Sequence, residues 1–145
     1  ATDGTLLQNI VPDREYPIDL TQYGQYFVSY VACDTFNGKD FELGYAITVE
    51  DRTAPEIAFS HEFATTGKVG EAIVIPDFTV SDNVTAAEEI RISKFVLTSD
   101  GRLVELTGSS NAFRPAKAGN YEVRIVAVDA AGNIAMVRQI VTVTE

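Results

Sequence analysis

Five side chains in three short segments have the types to do chemistry together. They are Asp82 and Asn83 in "SDNV", Asp129 and Asn133 in "DAAGN", and Asp51 in "EDRTAP". All five offer oxygen, and no softer donor accompanies them. That set suits a hard cation such as Ca²⁺, which takes six to eight oxygens from carboxylates, amides and carbonyls. The spacing is not that of an EF-hand loop. Asp and Asn also sit in turns because their side chains bond local backbone and tolerate left-handed conformations. The two readings differ in whether the oxygens converge.

Other chemistries have less material. Ser60 and His61 are adjacent, but no Gly-x-Ser-x-Gly motif accompanies them, and His61 is expected in an exposed loop. There is no Cys/His cluster and no phosphate-cradling glycine loop. Paired carboxylates can hydrolyse glycosides, but scattered Asp and Glu are the background of an acidic surface. Cys33 is the single cysteine and cannot form an internal disulfide. Asp34 beside it has the wrong sign to activate a thiol, so Cys33 is expected to be a buried or partner-covered small apolar residue. The expectation is a protein without catalytic activity.

The balance of 21 acidic against 11 basic residues, net charge −10, disfavours nucleic acid and anionic membrane surfaces. At 46% hydrophobic and 22% charged, the chain has the composition of an ordinary globular protein. No apolar run is long enough for a transmembrane helix.

The oxygen-bearing segments fall between strand-like runs. Short β-branched and aromatic stretches are punctuated by Gly, Pro, Asn and Asp at roughly 8–12 residue intervals, the spacing of a β-sandwich. The pattern predicts strands near 56–59, 72–80, 90–98, 102–107, 111–116, 120–129 and 134–144, a hairpin turn at 99–101, and at most one helical turn at 85–89. In the strand from 121, Tyr121, Val123, Ile125 and Ala127 alternate with Glu122 and Arg124, so the first set is expected to face the core. Gly-x-Tyr entering such a strand predicts a tyrosine corner at Tyr121, an architectural role.

The phrase "AGNYEVRIVAVDAAGN" (118–133) has a looser copy, "YGQYFVSYVACDTFNG" (23–38). Gly24 and Gly119, Tyr26 and Tyr121, Ala32 and Ala127, and Asp34 and Asp129 each stand 95 positions apart. A fixed period of this kind predicts tandem modules. The first copy, 1–51, matches only the back half of the second, 52–145, and so is expected to be a partial module whose front is missing. "TDG" at 2–4 matches "SDG" at 99–101. Pro55 keeps Ala54 extended in a short, stiff linker. In the first copy Tyr26, Val28, Tyr30 and Ala32 keep the core face. Phe27, Ser29, Val31 and Cys33 make an uncharged outer face that wants a cover. Its last hairpin loop, "CDTFNGKD", is expected to be longer.

"PEIAF", "VSDNV", "AGNYEVRIVAVDAAGN" and "VTVTE" together resemble the bacterial immunoglobulin-like repeats, close in style to the hyalin-repeat domain. The resemblance covers residues 52–145 and, in half measure, 1–51. It implies an all-β, immunoglobulin-like sandwich strung in tandem on exported, extracellular or cell-surface proteins. In such a sandwich the loop after the second strand, the loop before the last strand and the incoming linker share one pole. Asp51, Asp82, Asn83, Asp129 and Asn133 are then expected to converge on an inter-module calcium.

The expected function is a non-catalytic structural or spacer module of a bacterial surface or adhesion protein, its partners being neighbouring modules of the parent chain or a second copy through the apolar face of 1–51. The alternatives are a carbohydrate- or host-protein-binding module, and an accessory domain of a secreted enzyme or phage structural protein. Fold analogy by itself does not choose among them.

Overall fold

The computed structural model describes residues 23–34 and 36–145, and for 32–34 the backbone alone. The chain divides into two compact units, Ala1–Asp51 and Arg52–Glu145. The expectations for residues 1–22 and for the side chains of Ala32, Cys33 and Asp34 lie outside the described residues.

In the first unit, β1 (Gly24–Asp34) and β2 (Lys39–Val49) form an antiparallel hairpin, paired from Gly24↔Val49 to Asp34↔Lys39. Cross-strand partners share a face. Tyr26, Val28 and Tyr30 therefore lie with Ile47, Tyr45 and Leu43 on one face, and Phe27, Ser29 and Val31 with Ala46, Gly44 and Glu42 on the other. Among the described residues of this unit, Tyr26 and Val28 are buried and the apolar side chains of Ile47 and Val49 half-buried. Tyr30 is 45% exposed and so is not core, while Phe27 on the opposite face is 68% exposed. Apolar surface is therefore open on both faces, where the sequence predicted it on one. Four positions separate Asp34 from Lys39, against five between Val128 and Ile134 of the later hairpin, so the first connection is not the longer one. Pairing runs on to Asp34 and Lys39 and takes residues from the loop.

In the second unit the strands are β3 (Glu56–Phe59), β4 (Thr66–Lys68), β5 (Ile73–Val74), β6 (Phe78–Ser81), β7 (Arg91–Leu97), β8 (Leu103–Glu105), β9 (Ala112–Phe113), β10 (Gly119–Val128) and β11 (Ile134–Thr144). A single 3-10 turn, Ala87–Glu89, precedes β7. The protein is all-β over its described residues, apart from that turn. Five strands form one sheet in the order β4-β11-β10-β7-β8, and β3-β6 and β5-β9 form separate antiparallel pairs.

Alternation along β10 puts Tyr121, Val123, Ile125 and Ala127 at 4%, 1%, 1% and 0% exposure. Tyr121, Val123 and Ile125 share a core with Ile73, Ile75, Val96, Val141 and Val143, against which Ile57, Phe59, Phe78 and Phe113 of the smaller pairs pack. Each fully buried Val or Ile contributes about 1.5–3 kcal/mol of transfer free energy. The long core strands hold the turns at their ends in fixed positions.

The expected strand 72–80 is broken at Pro76 and Asp77. Pro76 has no amide to donate, and the Asp77 carbonyl instead accepts the Ser60 N–H at 2.8 Å. Ile75 remains 1% exposed, so the break interrupts the ladder without leaving the core. The expected strand 111–116 shortens to two residues. β4 has no counterpart among the expected strands. It pairs in parallel with β11 through Thr66↔Thr142 and Lys68↔Thr144, and this backbone pairing requires no apolar alternation in its sequence.

Candidate metal centre

Two turns at one end of the second unit carry the acidic residues. The first follows β6. The Asp82 Oδ2 accepts the backbone N–H groups of Thr85 at 2.9 Å and Val84 at 3.0 Å. These amides, that of Thr85 first, hold the carboxyl below the usual carboxylate range against an opposing effect of burial. Asp82 is therefore ionised at neutral pH. Its other oxygen, Oδ1, is shielded from solvent and accepts no hydrogen bond.

The second turn follows β10. Asp129 is 1% exposed. Its Oδ1 accepts the Asn133 backbone N–H and its Oδ2 the Asn133 Nδ2, both at 2.7 Å. The Asp129 carbonyl accepts the Gly132 N–H at 3.3 Å, and Gly132 takes φ +92°, a conformation that side chains resist. Thr85 joins the two turns. It is 6% exposed, and its Oγ1 accepts the Ala130 N–H at 3.2 Å.

Asp51 is the last residue before the second unit. One oxygen from each of Asp51, Asp82 and Asp129 lies within 4.8 Å of the others. Calcium–oxygen distances are about 2.3–2.6 Å, so two ligands of one ion stand up to about 5 Å apart. The three oxygens have that separation.

The other two expected ligands, Asn83 and Asn133, lie in the same two segments as Asp82 and Asp129. Asn83 is exposed, and its backbone amide helps to lower Asp82. Asn133 spends its backbone N–H and its Nδ2 on Asp129, which makes it a positioning residue for that carboxylate. Thr85 was not singled out in the sequence; its only signal there is its place three residues after Asp82.

The tyrosines expected to be architectural are both buried, Tyr26 at 7% and Tyr121 at 4%. The Tyr121 hydroxyl donates to the Lys117 carbonyl at 2.9 Å, and its ring lies 5.8 Å from that of Phe113. Ser60 Oγ and His61 Nδ1 are 2.9 Å apart on an exposed segment. Among the described residues no hydrogen bond joins His61 to a carboxylate that would orient it as a base.

No helix among the described residues is long and apolar enough to cross a membrane. No family model matches the chain, and no curated protein sequence matches it.

Proposed function

We propose that the chain is a non-catalytic structural module of an exported surface or adhesion protein, built on immunoglobulin-like sandwiches and fastened by a calcium ion at Asp51, Asp82 and Asp129. The observation that carries the reading is the close grouping of those three carboxylates, one of them almost fully buried. The cation would draw a single oxygen from each and fill its remaining positions with carbonyls or water. Bound there, it would hold the turns after β6 and β10 together.

Two features support the immunoglobulin-like part of the reading. The small pairs and the five-stranded sheet share one core. Tyr121, near the start of β10, bonds the backbone four residues upstream, which is the arrangement of a tyrosine corner. Tandem organisation draws support from the two hairpins. Gly24 and Gly119 open β1 and β10 with φ of 139° and 133°. Tyr26 pairs with Ile47 as Tyr121 pairs with Val141.

Association through the hairpin belongs to the same proposal. Phe41, Leu43 and Tyr45 are 69%, 60% and 50% exposed, a stripe that a second copy or a neighbouring module would cover.

The test is a calorimetric calcium titration of the full chain after dialysis against EDTA. The proposal expects one site per chain and binding weakened at least about tenfold by Asp82→Asn, the loss of one charged ligand. Absence of a saturable site, or equal affinity in the variant, overturns it.

A further inference from the structure

Away from the acidic turns, the second unit contains a cleft of about 250 Å³. Its floor is apolar, formed by Val96, Leu106, Phe113 and Tyr121. Its rim carries Arg102, Arg114 and Lys117, three of the chain's 11 basic residues, in a molecule of net charge −10. The lining contains a single carboxylate, Asp100. The Thr98 hydroxyl donates to that carboxylate and is the main cause of its lowered pKa, to which Lys117 adds attraction. The rim is therefore cationic on balance at neutral pH.

Both walls are fixed before any ligand arrives. On one side the turn 98–102 closes through Thr98 N–H to the Arg102 carbonyl at 2.8 Å and Gly101 N–H to the Thr98 carbonyl at 2.9 Å. Gly119, at φ +133°, admits this turn, because a Cβ there would lie 2.7 Å from the Ser99 Cβ. On the other side the Gly70 N–H donates to the Pro115 carbonyl at 2.9 Å, and the Arg114 guanidinium donates to the Gly70 carbonyl at 2.9 Å. The Tyr121 hydroxyl holds the Lys117 carbonyl. Arg114 has five N–H donors, and one bond to Gly70 leaves most of them for a ligand. Among the described residues, none of the three rim cations is in an ion pair with a carboxylate.

We propose that this cleft binds a small organic carboxylate, its apolar body on the Leu106–Phe113 floor and its carboxylate at the Arg102, Arg114 and Lys117 rim. The class follows from the lining. Guanidinium and ammonium groups select an anion, and the floor selects one with an apolar ring or chain over an inorganic ion. The volume is below the about 300–1,000 Å³ of drug-sized pockets, which limits the ligand to a single ring or a short chain. The site stands independently of calcium, and its test is run in EDTA.

The test is an amide chemical-shift titration of the full chain with benzoate, benzyl alcohol and inorganic phosphate. The proposal expects saturable shifts with benzoate, centred on 98–102 and 113–117, and binding at least about tenfold weaker for the other two probes, each of which lacks one of the two contacts. The double variant Arg102→Gln, Lys117→Gln should melt like the parent and lose benzoate affinity by at least about tenfold. Lys117→Gln alone serves if the double variant does not fold, and should lose part of that affinity. Absence of saturable shifts at these residues overturns the proposal, as does unchanged affinity in the variant or phosphate binding as tight as benzoate.

Discussion

Asn133 holds both carboxylate oxygens of Asp129, one through its backbone N–H and one through its side-chain Nδ2, each at 2.7 Å. The pair closes the turn between β10 and β11 and fixes a carboxyl group that is 1% exposed. Removing the side-chain donor leaves one buried oxygen with a bond fewer. Asn133→Ala should destabilise the second unit by about 1–3 kcal/mol, the cost of an unmet buried polar group. For a unit of this size that is a fall of roughly 4–8 °C or more in melting point. Thermal denaturation followed by circular dichroism measures it.

Thr85 couples that turn to the one after β6 by accepting the Ala130 N–H. Thr85→Val keeps the shape and removes the acceptor. The expected loss is about 0.5–1.5 kcal/mol in urea denaturation. The substitution also frees the two turns from each other, so calcium affinity should fall even though Thr85 is not among the three carboxylates. Unchanged affinity in this variant would show that the turns are held in place by other contacts.

The Asp82 carboxyl is held down by the Thr85 and Val84 amides, which fixes the sign of one pH dependence. A group whose folded pKa is lowered contributes stability above its unfolded pKa. It loses that contribution as pH falls through the lower folded value. In EDTA, the wild type should therefore lose stability below about pH 4 more steeply than Asp82→Asn. Parallel acid limbs in the two proteins would contradict the hydrogen-bonded carboxylate.

Tyr121→Phe tests the corner. It deletes the bond to the Lys117 carbonyl and keeps the ring against Phe113. The expected cost is about 0.5–1.5 kcal/mol, measured by urea denaturation with the denaturant slope unchanged.

Much of the second unit was legible in the sequence, because β10 and β11 are long and their side chains alternate strictly. Tyr121 to Ala127 needed only period 2 and two flanking charges to be assigned a face. β4 was illegible because its contribution is backbone pairing alone. Pro76 and Asp77 fell inside an apolar run in which Ile73 and Ile75 stay in the core while its ladder is cut. The three carboxylates were legible as turn residues with oxygen donors. The task of Asn133 was less so, since an amide side chain is equally suited to ligate a cation or to hold its neighbour. Burial on the first hairpin could not be read from alternation, because both faces of β1 are apolar and period 2 marks a core only when one face is polar. The cationic cleft draws on residues from Val96 to Tyr121, on several separate segments of a chain of net negative charge, and no local pattern marked it.

The most direct measurement is the melting point of the wild type and of Asp82→Asn, each in excess calcium and in EDTA. A site present only in the folded state stabilises by about 2.7 kcal/mol when free ion is at 100 times its dissociation constant. The proposal predicts a rise of several degrees for the wild type in calcium and little or none for the variant. Identical wild-type melting points in calcium and EDTA would contradict it, and would leave Asp51, Asp82 and Asp129 as turn and linker residues only.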